Sequence, residues 1–174
     1  MEQYQINNQK EIIALFKTGK VLIIPTDTIY GLACTIDNRT GKERIYQLKH
    51  RPVTMELAII VSSLRMAKKL VKITKTAIKI LRDKTSVTII GESKVKNLSN
   101  NGRLAVRITK AKWLQRVIKK VGPIYATSVN KTGEHPAINL TELQQFNVDG
   151  IVYDGQLDNP PSKIFDLATQ QFIR

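Results

Sequence analysis

Three short strings in this chain place anion-binding groups where an apolar run gives out. Pro25-Thr26-Asp27-Thr28-Ile29-Tyr30-Gly31-Leu32 follows the run Val21–Ile24, so it sets hydroxyls and a carboxylate at a strand end. Open α/β sheets bind their ligands at such ends, although Thr and Asp are also ordinary turn residues. Lys49-His50-Arg51-Pro52 sets a point charge and a planar guanidinium fork two residues apart next to a proline. That pairing suits polyphosphate, and a solvated helix end, with its basic groups complementing the dipole, explains it equally. Ala126-Thr127-Ser128-Val129-Asn130-Lys131-Thr132-Gly133 ends a strand in hydroxyls and an amide. Extended backbone there points Ser128 and Asn130 the same way, while local hydrogen bonding in a Ser/Asn loop is the competing account. His50 reads as exposed and incidental, and Cys34 as core packing.

Other chemistries lack their residues. No G-x-x-x-x-G-K-[ST], G-x-G-x-x-G, H-E-x-x-H or G-x-S-x-G string occurs. One cysteine excludes an intramolecular disulfide framework and a Cys-rich zinc site, and two histidines leave little for a His-based one. No protein ligand set for a metal can be read; Asp27 is a candidate ligand and equally a structural residue.

The positions of these strings depend on the elements around them. The 174 residues, 42% hydrophobic and 24% charged, suit one soluble domain with its own core. Residues 8–18 read as an amphipathic helix stopped by Gly19. Strands are expected at 21–24, 29–36, 57–61, 87–90, 104–108, 124–127, 151–153 and 164–167. Helices are expected at 42–49, from 64 to 82, at 113–121 and at 140–146. Helices alternating with strands predict an α/β fold. Two places where strand follows strand, at 89–108 and near the C-terminus, make the sheet mixed rather than purely parallel. A single domain over residues 1–174 is the expectation.

Charge sets the ligand class. Twenty-eight Lys and Arg against fourteen Asp and Glu leave +14, which argues for an anionic partner. No acid occurs from Leu57 to Arg82, where Arg65, Lys68, Lys69, Lys72, Lys75, Lys79 and Arg82 follow a spacing of three and four. That spacing predicts one helix face of basic residues, read as a solvated surface. Ser93 to Gly133 holds ten basic residues and no acid, and beyond Lys131 six acids face only Lys163 and Arg174. Met1–Gln5 has no basic flank and apolar core of the signal-peptide kind, and no apolar run reaches membrane-spanning length. The chain reads as cytoplasmic, with no membrane association.

Taken together, the strings resemble the YrdC-like domain of the threonylcarbamoyl-AMP synthase family, in its short form. Residues 25–32 meet the family's P-T-[DE]-[TS]-x-Y-G-L string and Lys49–Pro52 its K-x-R-P. Ala105-Val106-Arg107 meets its A-V-R strand, and residues 127–133 its T-S-x-N-x-[ST]-G loop. Ser162 and Arg174 resemble its late Ser and terminal Arg. Val129 stands where the family usually has Ala, and Lys84–Thr88 replaces its P-G-P-x-T element, keeping the Thr. The resemblance runs from about residue 8 to the last.

The resemblance implies a twisted mixed sheet with flanking helices and a basic concave ligand cleft. It implies synthesis of threonylcarbamoyl-AMP and pyrophosphate from L-threonine, bicarbonate or CO2, and ATP, with Mg2+ accompanying the triphosphate. The product feeds tRNA threonylcarbamoyl-transferase proteins in making tRNA threonylcarbamoyladenosine. Lys49 and Arg51 are then the expected catalytic groups on the triphosphate, with Asn130 and Arg174 also on ATP. Thr26, Arg107, Ser128 and Ser162 are the expected threonine-binding residues. A second reading, drawn from the surplus charge, is a non-catalytic module of the same fold that binds tRNA or double-stranded RNA. Aromatic residues, 6% of the chain and not interleaved with the basic runs, do not favour single-strand stacking.

Overall fold

Runs of apolar residues buried on both sides form the middle of a ten-stranded sheet. The computed structural model describes residues 2–99 and 101–173. Its strands are β1 (Glu2–Tyr4), β2 (Leu22–Pro25), β3 (Tyr30–Thr35), β4 (Ala58–Val61), β5 (Val87–Glu92), β6 (Arg103–Ile108), β7 (Ile124–Ser128), β8 (Gly150–Val152), β9 (Lys163–Asp166) and β10 (Gln171–Phe172). The spatial order is β1-β8-β2-β3-β7-β4-β6-β5-β9-β10. The pairs β1/β8, β2/β8, β4/β6 and β5/β9 are parallel. The pairs β2/β3, β3/β7, β4/β7, β5/β6 and β9/β10 are antiparallel, so the sheet is mixed as expected.

Six helices flank it: α1 (Gln9–Lys17), α2 (Arg39–Leu48), α3 (Leu64–Leu70), α4 (Lys75–Arg82), α5 (Lys112–Val121) and α6 (Leu140–Leu143). One face of the sheet presents Leu22, Ile24, Ala33, Ile60 and Ala126 to Ile12 and Phe16 of α1 and to Trp113, Leu114, Val117 and Ile118 of α5. The other presents Ile23, Leu32, Ile59, Val61, Ile89 and Val106 to the apolar sides of α2, α3, α4 and α6. Complete burial of a Leu or Ile on either face contributes roughly 1.5–3 kcal/mol.

Three features depart from the expectation. The basic stretch 64–82 is two helices, not one. Val71 leaves the helix in extended conformation and bridges Ser93, the Lys72 amide donates to the Glu92 carbonyl, and Thr74 caps α4 by accepting from the Ala77 amide at 3.1 Å. The β-branched Val71, Ile73 and Thr74 suit that strand-like break. Helix α2 begins three residues before the expected Lys42, because Asn38 accepts from the Gly41 amide as its N-cap. The short edge strands β1 and β10 had no apolar run to announce them.

Helices α1 and α2 end in the same way with different residues. After α1, the Gly19 amide donates to Phe16 and the Lys20 amide to Leu15; after α2, the His50 amide donates to Gln47 and the Arg51 amide to Tyr46. Both are Schellman closures needing one residue at positive φ. Gly19 sits there at 76° and His50 at 48°. His50 carries a Cβ penalty that glycine avoids, so His50→Gly is expected to raise unfolding free energy by about 1 kcal/mol. Urea denaturation measures it, and an unchanged midpoint counts against this assignment of strain.

Candidate active site

Strand alternation sorts the polar residues onto one face. Ser128 lies opposite Gly31, Arg107 opposite both Ile60 and Thr88, and Thr88 opposite Ile164. Ser128, Arg107 and Thr88 therefore share the face of Ile60, and Ser162, two residues from Ile164, shares it too. Helices α1 and α5 pack over β2, β3, β7 and β4. Over β6, β5 and β9 that face carries Ala105, Arg107, Thr88 and Ser162 instead. Gly31, Ala58 and Ala105 keep its floor shallow.

The β2–β3 loop reaches across this face. Thr26 closes the loop: its hydroxyl donates to the Ile29 carbonyl at 2.7 Å and accepts from the Thr28 amide at 3.1 Å. Asp27 accepts from the hydroxyls of Ser86 and Thr109, and Arg107 Nη1 donates to Thr28 Oγ1 at 2.8 Å. Burial pushes the Asp27 carboxyl up, but the charge of Arg107 and the two hydroxyls outweigh it and leave it below the usual carboxylate range. Tyr30 pins the loop's far end, donating to the Gly155 carbonyl at 2.6 Å and accepting from the Asp154 amide. Ser162 Oγ lies 2.9 Å from Thr88 Oγ1.

A second cluster forms where α2 ends. Lys49, 1% exposed, aims its ammonium at the carbonyls of Ser128 and Asn130 and at Asn130 Oδ1, all within 2.8 Å. Three acceptors match the three hydrogens of the ammonium. The resemblance implied a Lys facing the triphosphate, and a solvated helix end was the competing account; here it is the buried peg on which the 128–133 loop hangs. The Lys49 carbonyl returns the contact by accepting from the amide and hydroxyl of Thr132. Burial, with Arg51 beside it, lowers the Lys49 ammonium to about 8. Ser128 Oγ donates to Asn130 Oδ1 at 2.5 Å, and Asn130 Nδ2 to the Glu134 carbonyl at 2.7 Å. Arg51, half-buried, donates to the carbonyls of Met55 and Glu56 in its own loop.

The strings thus resolve into two centres, one at the end of β7 and one on β6, with β4 between them. Lys49, Ser128 and Asn130 form one; Arg107 joins Thr26 through Thr28 in the other, with Ser162 reached through Thr88. Arg51 stands at the border, and Arg174 lies outside the described residues. A cavity of about 1230 Å³ opens beside the first centre, with Ile29, Asn130, Leu48 and Phe146 in its wall. Its volume is ample for a small-molecule ligand. Val129 is fully buried in the core, so the extra methyls it carries relative to Ala do not project into the polar face. Thr28, Thr109 and Ser86 were not singled out from the sequence. Thr109 was in reach, since it lies two residues from Arg107 on the same face.

The groups gathered at the two centres are cations, hydroxyls and amides, which suit an anion. Among the described residues no cluster of three or more His, Cys, Asp or Glu is placed to hold a metal ion. Cys34 is buried, and burial pushes its thiol up to about 12, which leaves it a poor nucleophile. No helix of the described residues is long and apolar enough to cross a membrane.

Comparison with known proteins gives the family and the fold. The family model for Sua5, YciO and YrdC domains, described as "Telomere recombination", matches residues 14–174. The threonylcarbamoyl-AMP synthase of Vibrio campbellii is 27% identical over 191 residues, covering 97% of this chain and 99% of the relative. The crystal structure of E. coli YciO superposes with a TM-score of 0.84 at 19% identity, covering 99% of this chain and 92% of YciO. The P. abyssi Sua5 structure complexed with L-threonine superposes at 0.81 and 19% identity, covering 96% of this chain and 54% of that one. These structural likenesses establish the shared fold.

Proposed function

This chain belongs to the Sua5/YciO/YrdC family, and from that premise we propose that it is an L-threonylcarbamoyladenylate synthase. The observation that carries the reading is the pairing of two centres in one sheet, on β7 and on β6 with β4 between them: a lysine-held Ser/Asn loop and an arginine backed by a half-buried carboxylate. One centre suits a polyphosphate and the other an amino-acid carboxylate, and the reaction needs both. The relative from Vibrio campbellii carries this activity in its name.

The threonine amine adds to CO2, drawn from bicarbonate, and loses a proton to give a carbamate. A carbamate oxygen then bonds to the α-phosphorus of ATP as the bond from that phosphorus to the bridging oxygen breaks, and pyrophosphate leaves. Such a displacement calls for positioning and charge neutralisation rather than a covalent nucleophile. Arg107 takes the threonine carboxylate, with Thr26, Ser128 and Ser162 holding the rest of the amino acid. Lys49 holds the Ser128–Asn130 loop from beneath, Arg51 takes the triphosphate, and Asn130 and Arg174 bind the nucleotide. Magnesium travels with the phosphates, whose charge it neutralises; the protein's own donors here are cationic, hydroxyl and amide groups. The product is the activated carbamoyl donor for a tRNA threonylcarbamoyl-transferase.

Pyrophosphate release by the purified protein is expected only when ATP, threonine and bicarbonate are all present. Release independent of threonine contradicts the assignment. The exposed basic residues of α3 and α4 favour one other reading, an RNA-binding module. Its mark is steeply salt-dependent tRNA binding with no pyrophosphate release.

A further inference from the structure

We infer that Asp27 is a positioning residue, which locks the β2–β3 loop across the sheet and holds the Arg107 guanidinium in place for an anionic substrate group. The inference rests on the synthase reading for the identity of that group, and on geometry alone for the rest. Both carboxylate oxygens are already engaged by hydroxyls from distant parts of the chain: Ser86 at the head of β5 and Thr109 just past β6. The same loop supplies Thr28 Oγ1 as an acceptor for Arg107 Nη1. Asp27 and Thr28 therefore grip β5, β6 and Arg107 together.

Three consequences distinguish this role from that of a metal ligand or a general base. Each oxygen already accepts from a hydroxyl, which takes up part of the carboxylate's acceptor capacity and fixes its orientation within the protein. A base at neutral pH needs a carboxyl whose proton affinity is raised, and Arg107 acts in the opposite sense. What the half-buried carboxylate does supply is a fixed negative charge near a guanidinium that is itself only 6% exposed. Without that charge the buried arginine keeps its bond to Thr28 but bears a larger desolvation cost.

Asp27→Asn separates charge from shape, because the amide can still accept from Thr109 and bond Ser86. In this variant threonine KM is expected to rise about tenfold with kcat changed less than threefold, the signature of a lost binding contact. The Mg2+ concentration giving half-maximal rate should stay within twofold. In an Arg107→Gln background, adding Asp27→Asn should change KM less than twofold, since the residue acts through Arg107. A kcat loss with unaltered KM, additive effects in the double variant, or a tenfold shift in Mg2+ requirement overturns the inference.

A readout free of activity keeps this test apart from that of the synthase reading. In 15N-labelled protein, hindered rotation of a held guanidinium gives separate Nη resonances for Arg107. They are expected in the wild type and should merge in Asp27→Asn, while Thr109→Val, which keeps the charge and removes one hydroxyl, should broaden them. Separate resonances persisting in Asp27→Asn defeat the inference even if pyrophosphate release is normal. Merged resonances in a protein with no synthase activity uphold the positioning role and reject the reaction.

Discussion

Lys49→Ala should reduce threonine-dependent pyrophosphate release by about a hundredfold or more, the scale of removing a group that stabilises developing charge. The loss has two sources. The positive charge behind the loop is removed, and the loop carrying Ser128 and Asn130 loses the donor that fixes it. Three acceptors left without their charged partner also lower the unfolding free energy by roughly 3 kcal/mol. Lys49→Met, which keeps most of the stem's volume, separates the sources: its packing survives and its catalysis does not. A pH series supplies the control. With the folded ammonium lowered to about 8 and its ordinary value at 10.5, the unfolded chain binds a proton between those limits that the folded chain has released. Stability attributable to this site therefore rises with pH through that window, and below it the buried charge carries its full cost. The wild type should gain on Lys49→Met between pH 8 and about 10.5. Cys34, with its thiol pushed up to about 12, acts in the opposite sense but is common to both proteins. A wild-type-like rate in Lys49→Ala, or a stability difference flat with pH, contradicts this role.

Arg107→Met carries the second large effect, an increase in threonine KM of about a hundredfold, as expected for a lost charge-assisted contact to a carboxylate. The fold suffers as well, because the half-buried Asp27 loses the cation near it while keeping its two hydroxyl donors, a loss of about 1–3 kcal/mol. The sign with pH follows from the carboxyl. In the wild type Asp27 is held below its ordinary value, so its contribution is present above about pH 4 and fades as pH falls through the folded value. The stability gap between wild type and Arg107→Met should thus be widest near neutrality and narrow on acidification. Arg107→Lys keeps the charge and loses the planar fork; it should retain most of the stability and still bind threonine about tenfold more weakly. Steady-state kinetics at pH 7 and urea midpoints followed from pH 7 to below the ordinary carboxylate range decide it, and an unchanged threonine KM in Arg107→Met removes Arg107 from the threonine site.

The elements that position these residues were legible where burial imposes a pattern. Leu22–Ile24 and Ile59–Val61 are buried on both faces and read as uninterrupted apolar runs, and α1 showed both its stripe and its glycine stop. Between α3 and α4 the basic spacing of three and four runs on unbroken, while the backbone departs at Val71 to reach Ser93. That partner is 22 positions away, and nothing local announces it. The site divides in the same way. Which residue types gather at strand ends was readable, but their directions depend on register. Lys49 points inward because α2 closes beneath the 128–133 loop, and Val129 turns to the core while Ser128 and Asn130 do not. Asp27 finds its partners 59 and 82 residues along the chain, beyond the reach of any local pattern. The surplus charge indicated an anionic ligand, yet the arginine and lysine at the two centres are among the most buried of the chain's basic groups.

The synthase reading is tested most directly by its product. Purified protein incubated with MgATP, L-threonine and 13C-bicarbonate should yield an adduct with the mass of threonylcarbamoyl-AMP, carrying the label once, in step with pyrophosphate. Formation of pyrophosphate or AMP without that adduct, or no reaction at all with the folded protein, contradicts it.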